Sequence, residues 1–156
     1  MRVFAILAVL GAVGVGGTIS ANGVQVSAPA GWHRVASAGD GPVTAPRTLL
    51  VVGTAGVRPH RTHCQIAAYR VPATGAVVVV VGWKSANGDT GPGREALRKL
   101  RSLHRPSFEC FQGRGAAATL VLRRREYQVN VLVGDRASRS RIAEALAVAR
   151  SFDLKR

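Results

Sequence analysis

Acidic residues are scarce in this chain. Only 8 Asp and Glu stand against 22 Lys and Arg among 156 residues, a formal net charge of +14. The carboxylates are scattered from Asp40 to Asp153, so an acid/base pair of the glycosidase kind would have to be assembled by folding. Aromatic residues make up 5% of the chain, too few for a surface on which bases stack. Cys64 and Cys110 are the only cysteines and form no CxxC pair, which argues against a dithiol redox motif. No GxSxG, HExxH or SxxK run is present, and no internal repeat is visible. Residues 88–93 (GDTGPG) superficially resemble a phosphate cradle. They lack the Gly-Lys-Ser/Thr ending, and Pro92 removes an amide donor, so they read as a loop.

What the chain does have begins at its N-terminus. Arg2 precedes an apolar run over residues 3–15 (VFAILAVLGAVGV), the pattern of a secretory signal. The run falls at or below the roughly 17–25 residues a membrane span needs, and its glycines weaken a helix. Cleavage is expected after Ala21-Asn22-Gly23, which makes residues 1–23 a signal peptide and starts a single domain, 24–156, at Val24; an uncleaved anchor is the alternative. In an oxidising compartment the two cysteines are expected to pair, and the chain-entropy model gives so long a loop about 4 kcal/mol. An exported chain this basic is drawn to polyanions. The expected partners are an anionic envelope polymer, the membrane surface or another exported protein, with nucleic acid disfavoured. The basic residues are arginine except at Lys84, Lys99 and Lys155, a skew that a GC-rich coding sequence also produces.

Strands are predicted at residues 24–28, 48–54, 64–71, 76–83, 116–122 and 127–133. Residues 72–75 (PATG) should join the third and fourth as a hairpin. Five consecutive valines, 77–81, are too uniformly apolar for a strand with one wet face and call for a central strand covered on both sides. In 127–133, Tyr127, Val129, Val131 and Val133 alternate with Gln128 and Asn130, the pattern of a half-buried strand. Leu97, Leu100 and Leu103 mark a short basic helix over 94–103. A closing helix is capped by Ser138 or Ser140 and presents Ile142, Ala145, Leu146, Ala149 and Phe152 to the sheet. Residues 34–47 are a surface loop. The fold class is α+β, with a largely antiparallel sheet of about six strands and two helices.

An opening strand, a Pro-x-Gly-Trp turn (Pro29, Gly31, Trp32), paired central strands, a late hairpin and a terminal helix ending at Ser151-Phe152 resemble the PsbP-like α/β/α sandwich family, which includes small exported bacterial members. The resemblance implies a non-enzymatic binding or assembly module. It carries no functional residue onto this chain.

Two groups of residues have chemical promise. Arg94, Arg98, Arg101 and Arg105 advance by three or four and would stripe the basic helix, with Arg123, Arg124 and Arg125 at a hairpin tip as a second patch. An ordinary solvated face explains the same pattern. His60, His63 and Cys64, joined by Cys110 or His104, could supply four zinc or copper ligands, although a disulfide would consume the sulfurs. The expected function is a non-enzymatic exported domain that binds an anionic envelope component or a protein partner through its basic surface. The alternative is a metal-binding exported protein; no cofactor is expected.

Overall fold

The computed structural model describes residues 16–39, 45–84, 91–105, 108 and 110–156. Its centre is a five-stranded antiparallel sheet in the order β3-β4-β7-β9-β8, made of β3 (Trp32–Arg34), β4 (Arg47–Thr54), β7 (Ala76–Gly82), β8 (Gly115–Leu122) and β9 (Arg125–Val133). A smaller antiparallel sheet has the order β1-β2-β10, from β1 (Gly17–Ala21), β2 (Val24–Ala28) and β10 (Asp153–Leu154). Two short strands, β5 (Arg58–Pro59) and β6 (Tyr69–Arg70), pair with each other. The helices are α1 (Glu95–Arg98) and α2 (Arg139–Arg150). The chain is one α+β domain.

The valine run forms the middle strand, and every residue of β7 is buried. Its side chains alternate between two cores, as a period of two requires. Val78 and Val80 meet β2, both helices and Phe152. Val77, Val79 and Val81 meet Val51, Ala67, Ala68, Tyr69 and Phe108. Each fully buried valine contributes about 1.5–3 kcal/mol relative to exposure.

The two faces are covered differently. Ser138 caps α2 by accepting from the Arg141 N–H at 3.1 Å, and Ala145, Leu146, Val148 and Ala149 pack downward. The opposite face carries loops instead of helices among the described residues, with segment 57–71 and the residues Phe108 and Phe111 laid over it, and the Cys64–Cys110 disulfide joining them. This departs from the helix layer on each side of the sheet that an α/β/α sandwich implies.

Several sequence expectations change. Residues 64–71 are not a full strand: only Tyr69–Arg70 pairs, and with β5, because the segment is tied to Cys110 and lies on the sheet as part of its cover. The 72–75 turn forms, with the Gly75 N–H donating to the Pro72 carbonyl at 2.8 Å, but β7 pairs with β4 and β9. Helix 94–103 shrinks to the four residues of α1, after which Leu100 still reaches the core. Asn130 is fully buried and not on a wet face, since β9 lies between β7 and β8 under the loop cover. Its amide donates to the Val79 carbonyl at 3.3 Å. Residues 40–44 of the 34–47 loop and 85–90 of the glycine-rich connection lie outside the described residues.

The folded unit also begins before Val24. β1 pairs along its whole length with β2, and Ile19 and Ala21 pack against the core. Asn22 and Gly23 occupy the left-handed region at φ 48° and 79°, the requirement of a two-residue hairpin turn, for which Asn-Gly is the preferred sequence. Cleavage after Gly23 would remove this strand. Deleting residues 1–23 is expected to lower the urea midpoint well below that of a chain lacking only residues 1–15, since it discards a ladder and two apolar contacts. Equal midpoints for the two truncations would show β1 to be dispensable.

Candidate anion-binding site

The arginines singled out in the sequence do not form one stripe, because α1 is a single turn. Arg94 pairs with Asp153 across the gap to β10. Arg98 and Arg101 face Arg150 around a hollow of about 540 Å³, where the Arg101 Nε donates to the Arg98 carbonyl at 3.3 Å and the Arg150 guanidinium donates to the Leu100 carbonyl at 2.6 Å. Arg105 lies over the Phe108 ring, 4.4 Å from its centre, a cation–π arrangement. The Arg94, Arg101, Arg105 and Arg150 side chains are thus engaged within the fold, while Arg98 takes part through its carbonyl.

The other patch is different. Arg123 and Arg124 form the two-residue turn between β8 and β9, with φ of 49° and 61°. That conformation suits Asn or Gly and costs a side-chain-bearing residue on the order of 1 kcal/mol. Arg123 and Arg125 line a cavity of about 510 Å³ at the end of the sheet. The register brings the other walls together. Arg47 of β4 pairs with Gly82 of β7, and Gly82 pairs with Tyr127 of β9. Asn22 of the first turn donates to the Leu49 carbonyl at 2.8 Å, and the Lys155 N–H donates to the Gly23 carbonyl at 2.9 Å, which fastens the small sheet to the large one at the cavity. Lys84 follows Trp83, whose N–H donates to the Glu126 carbonyl at 3.0 Å.

The result is a hollow with a basic rim and an apolar floor. Arg47, Lys84, Arg123, Arg125 and Lys155 are exposed around it, and no carboxylate lines it among the described residues. Leu49, Trp83, Tyr127 and Leu154 form the apolar part. Tyr127 is only 6% exposed and its ring packs 5.5 Å from that of Phe152, so this part of the floor is fixed from behind. Gly82 allows the close approach: a Cβ there would meet Leu49 Cδ1 at 2.7 Å and Tyr127 Cδ1 at 3.2 Å. Arg47, Lys84, Lys155 and the apolar floor were missed in the sequence, because each sits at a different strand end and only pairing register unites them. The arginine run 123–125 was the local signal that was read, and the Asn22-Gly23 turn a second that was not.

The proposed metal ligands come together only in part. His63 Nε2 lies 3.5 Å from the Cys110 sulfur, and the donor atoms of His63, Cys64 and Cys110 are within 4.8 Å of one another. His60 does not join them; its N–H donates to the Ala68 carbonyl at 2.8 Å. His104 accepts from the Ala117 N–H at 3.3 Å. The two sulfurs are bonded to each other.

No family model matches the chain, and no curated protein matches it. A solved structure does: the solution structure of cyanobacterial PsbP (CyanoP) from Synechocystis sp. PCC 6803. The resemblance is one of fold. It covers 97% of this chain and 100% of that one, at 12% identity and a TM-score of 0.47. No cavity residue is assigned a role by it.

Two carboxyl groups are held below their ordinary range. Asp153 is lowered chiefly by its hydrogen bond to Arg94, with the Leu154 N–H adding to the effect. Glu95 is lowered by backbone hydrogen bonds, one of them from the Gly93 N–H at 2.7 Å. A carboxyl lowered on folding stabilises the fold above its unfolded pKa, and that contribution is lost as pH falls through the folded value. The Arg94 and Asp153 side chains are 49% and 43% exposed, which limits the pair to under about 1 kcal/mol. Asp153→Asn should therefore cost under about 1 kcal/mol at pH 7. The difference from the parent should shrink below about pH 4, where the unfolded carboxyl begins to protonate, as read by urea unfolding across pH.

Proposed function

We propose that this chain is an exported, non-enzymatic binding module that holds an anionic envelope component at the basic cavity. The carrying observation is five cationic side chains, from four separate stretches of chain, gathered around one hollow lined by no carboxylate among the described residues. Clustered like charges repel, and a fold that assembles them gains from an anion that relieves the repulsion. The Arg123–Arg124 turn supports the reading, because local strain in a surface turn motivates a functional reason for the residues that bear it. Export is supported by the apolar N-terminal run and the disulfide. A non-enzymatic role is supported by the use of carboxylates elsewhere: Glu144 accepts from Arg141 and from the Trp32 indole, Glu95 from Gly93, and Asp153 from Arg94.

The test is binding to vesicles containing phosphatidylglycerol and to polyphosphate, across a salt series. Affinity should fall steeply with salt. At about 1 kcal/mol per basic residue, Arg123→Gln with Arg125→Gln should weaken binding roughly thirtyfold, while Arg98→Gln with Arg101→Gln should change it little. Salt-independent binding, or none, would sink the proposal.

A second reading has one observation in its favour, the grouping of His63, Cys64 and Cys110. Both sulfurs ligate metal only as thiolates, so this reading concerns the reduced chain. Stoichiometric zinc or copper(I) after mild reduction, lost in His63→Ala, is the expected result. A protein that stays metal-free after reduction would exclude it.

A further inference from the structure

Resting on the anion-binding role proposed for the basic cavity, we infer that it takes an amphipathic anion, a phosphate or similar compact headgroup joined to an apolar body, in preference to a linear polyanion. A polymer held by charge alone needs a basic surface and no depth. Here the cations stand on the rim of a hollow of about 510 Å³, within the range of small-molecule sites. The same lining carries the apolar side chains of Leu49, Trp83, Tyr127 and Leu154, which are less exposed than the cations.

The floor is shaped from two directions. Phe152 supports the Tyr127 ring from the core side. Gly82 leaves the space that Leu49 and Tyr127 fill, so that the strand end is closed by side chains of neighbouring strands. A headgroup at the rim would meet guanidinium and ammonium donors, which bind phosphate and carboxylate by charge-assisted hydrogen bonds. Its apolar body would displace water from the floor, a gain that a bare anion cannot collect. Separating polar recognition from apolar burial in this way is how small-ligand sites obtain both orientation and affinity.

Isothermal titration of the full chain with 1-naphthyl phosphate, inorganic phosphate and 1-naphthol tests the inference, with polyphosphate titrated in parallel. Naphthyl phosphate should bind at least tenfold more tightly than inorganic phosphate and more tightly than naphthol, and should alter the fluorescence of Trp83, a change that Trp83→Phe removes. Displacement by short-chain phosphatidylglycerol would identify a lipid headgroup as the source, and its failure to displace a soluble phosphate; either supports the inference. Gly82→Ala, whose Cβ would displace the Leu49 side chain that lines the hollow, should weaken naphthyl phosphate at least fivefold and leave polyphosphate binding unchanged. Should that variant fail to fold, Leu154→Ala reads the same floor. Equal affinity for naphthyl and inorganic phosphate, with polyphosphate binding intact, would overturn this inference alone. Loss of all three anions would overturn the anion-binding reading itself.

Discussion

Burial of the β7 strand on both faces is the constraint on which the rest of the domain depends. A run of valines between two partner strands leaves no side that can face water, so the sheet must carry a layer above and a layer below. On one side α2, α1 and the β1–β2 hairpin meet the need with regular elements. On the other side the chain has no described helix to offer, and irregular segments take its place. Loops over a core are expensive to order, since each residue fixed costs about 1–2 kcal/mol of backbone entropy. The Cys64–Cys110 bridge joins the two segments that form this layer, with Cα atoms 6.3 Å apart. It thereby reduces the freedom that these segments would have when unfolded.

The same antiparallel register that buries the valines also places the strand ends. β4, β7 and β9 run alternately, so the beginning of one lies beside the end of the next. Three of the five rim cations stand at such ends or in the turn beyond them, and Lys84 and Lys155 come shortly after β7 and β10. Charge that would be intolerable inside the sheet is tolerated at its edge, where water still reaches the side chains. The core and the cavity are thus consequences of one pairing pattern.

Much of this was legible in the sequence. The valine run, the alternation in residues 127–133, the turn at Arg123–Arg124 and the capped terminal helix were readable because each is written in consecutive residues with a clear period. The loop cover was not, for Cys64 to Val71 has the apolar content of a strand, and nothing local shows that it lies across a sheet instead of within one. α1 failed for a related reason: three leucines at helical spacing describe a buried edge equally well when the helix stops after one turn. β1 was masked by its neighbour, since a glycine-rich, small-residue segment after an apolar run has the composition of a processing site as well as of an edge strand. The cavity lay furthest from view, because Asn22, Arg47, Trp83, Arg125 and Lys155 share no local pattern and meet only through pairing.

The direction of β1 bears on how the domain would be presented to its surroundings. Its first residue, Gly17, pairs with Ala28, and its last, Ala21, lies beside the Asn22–Gly23 turn at the cavity. The start of β1 therefore lies at the far end of the hairpin, a strand length of roughly 16 Å from the basic rim. A tag or fusion joined ahead of Gly16 is thereby expected to leave the basic rim unobstructed, whereas one joined after Lys155 would stand beside it.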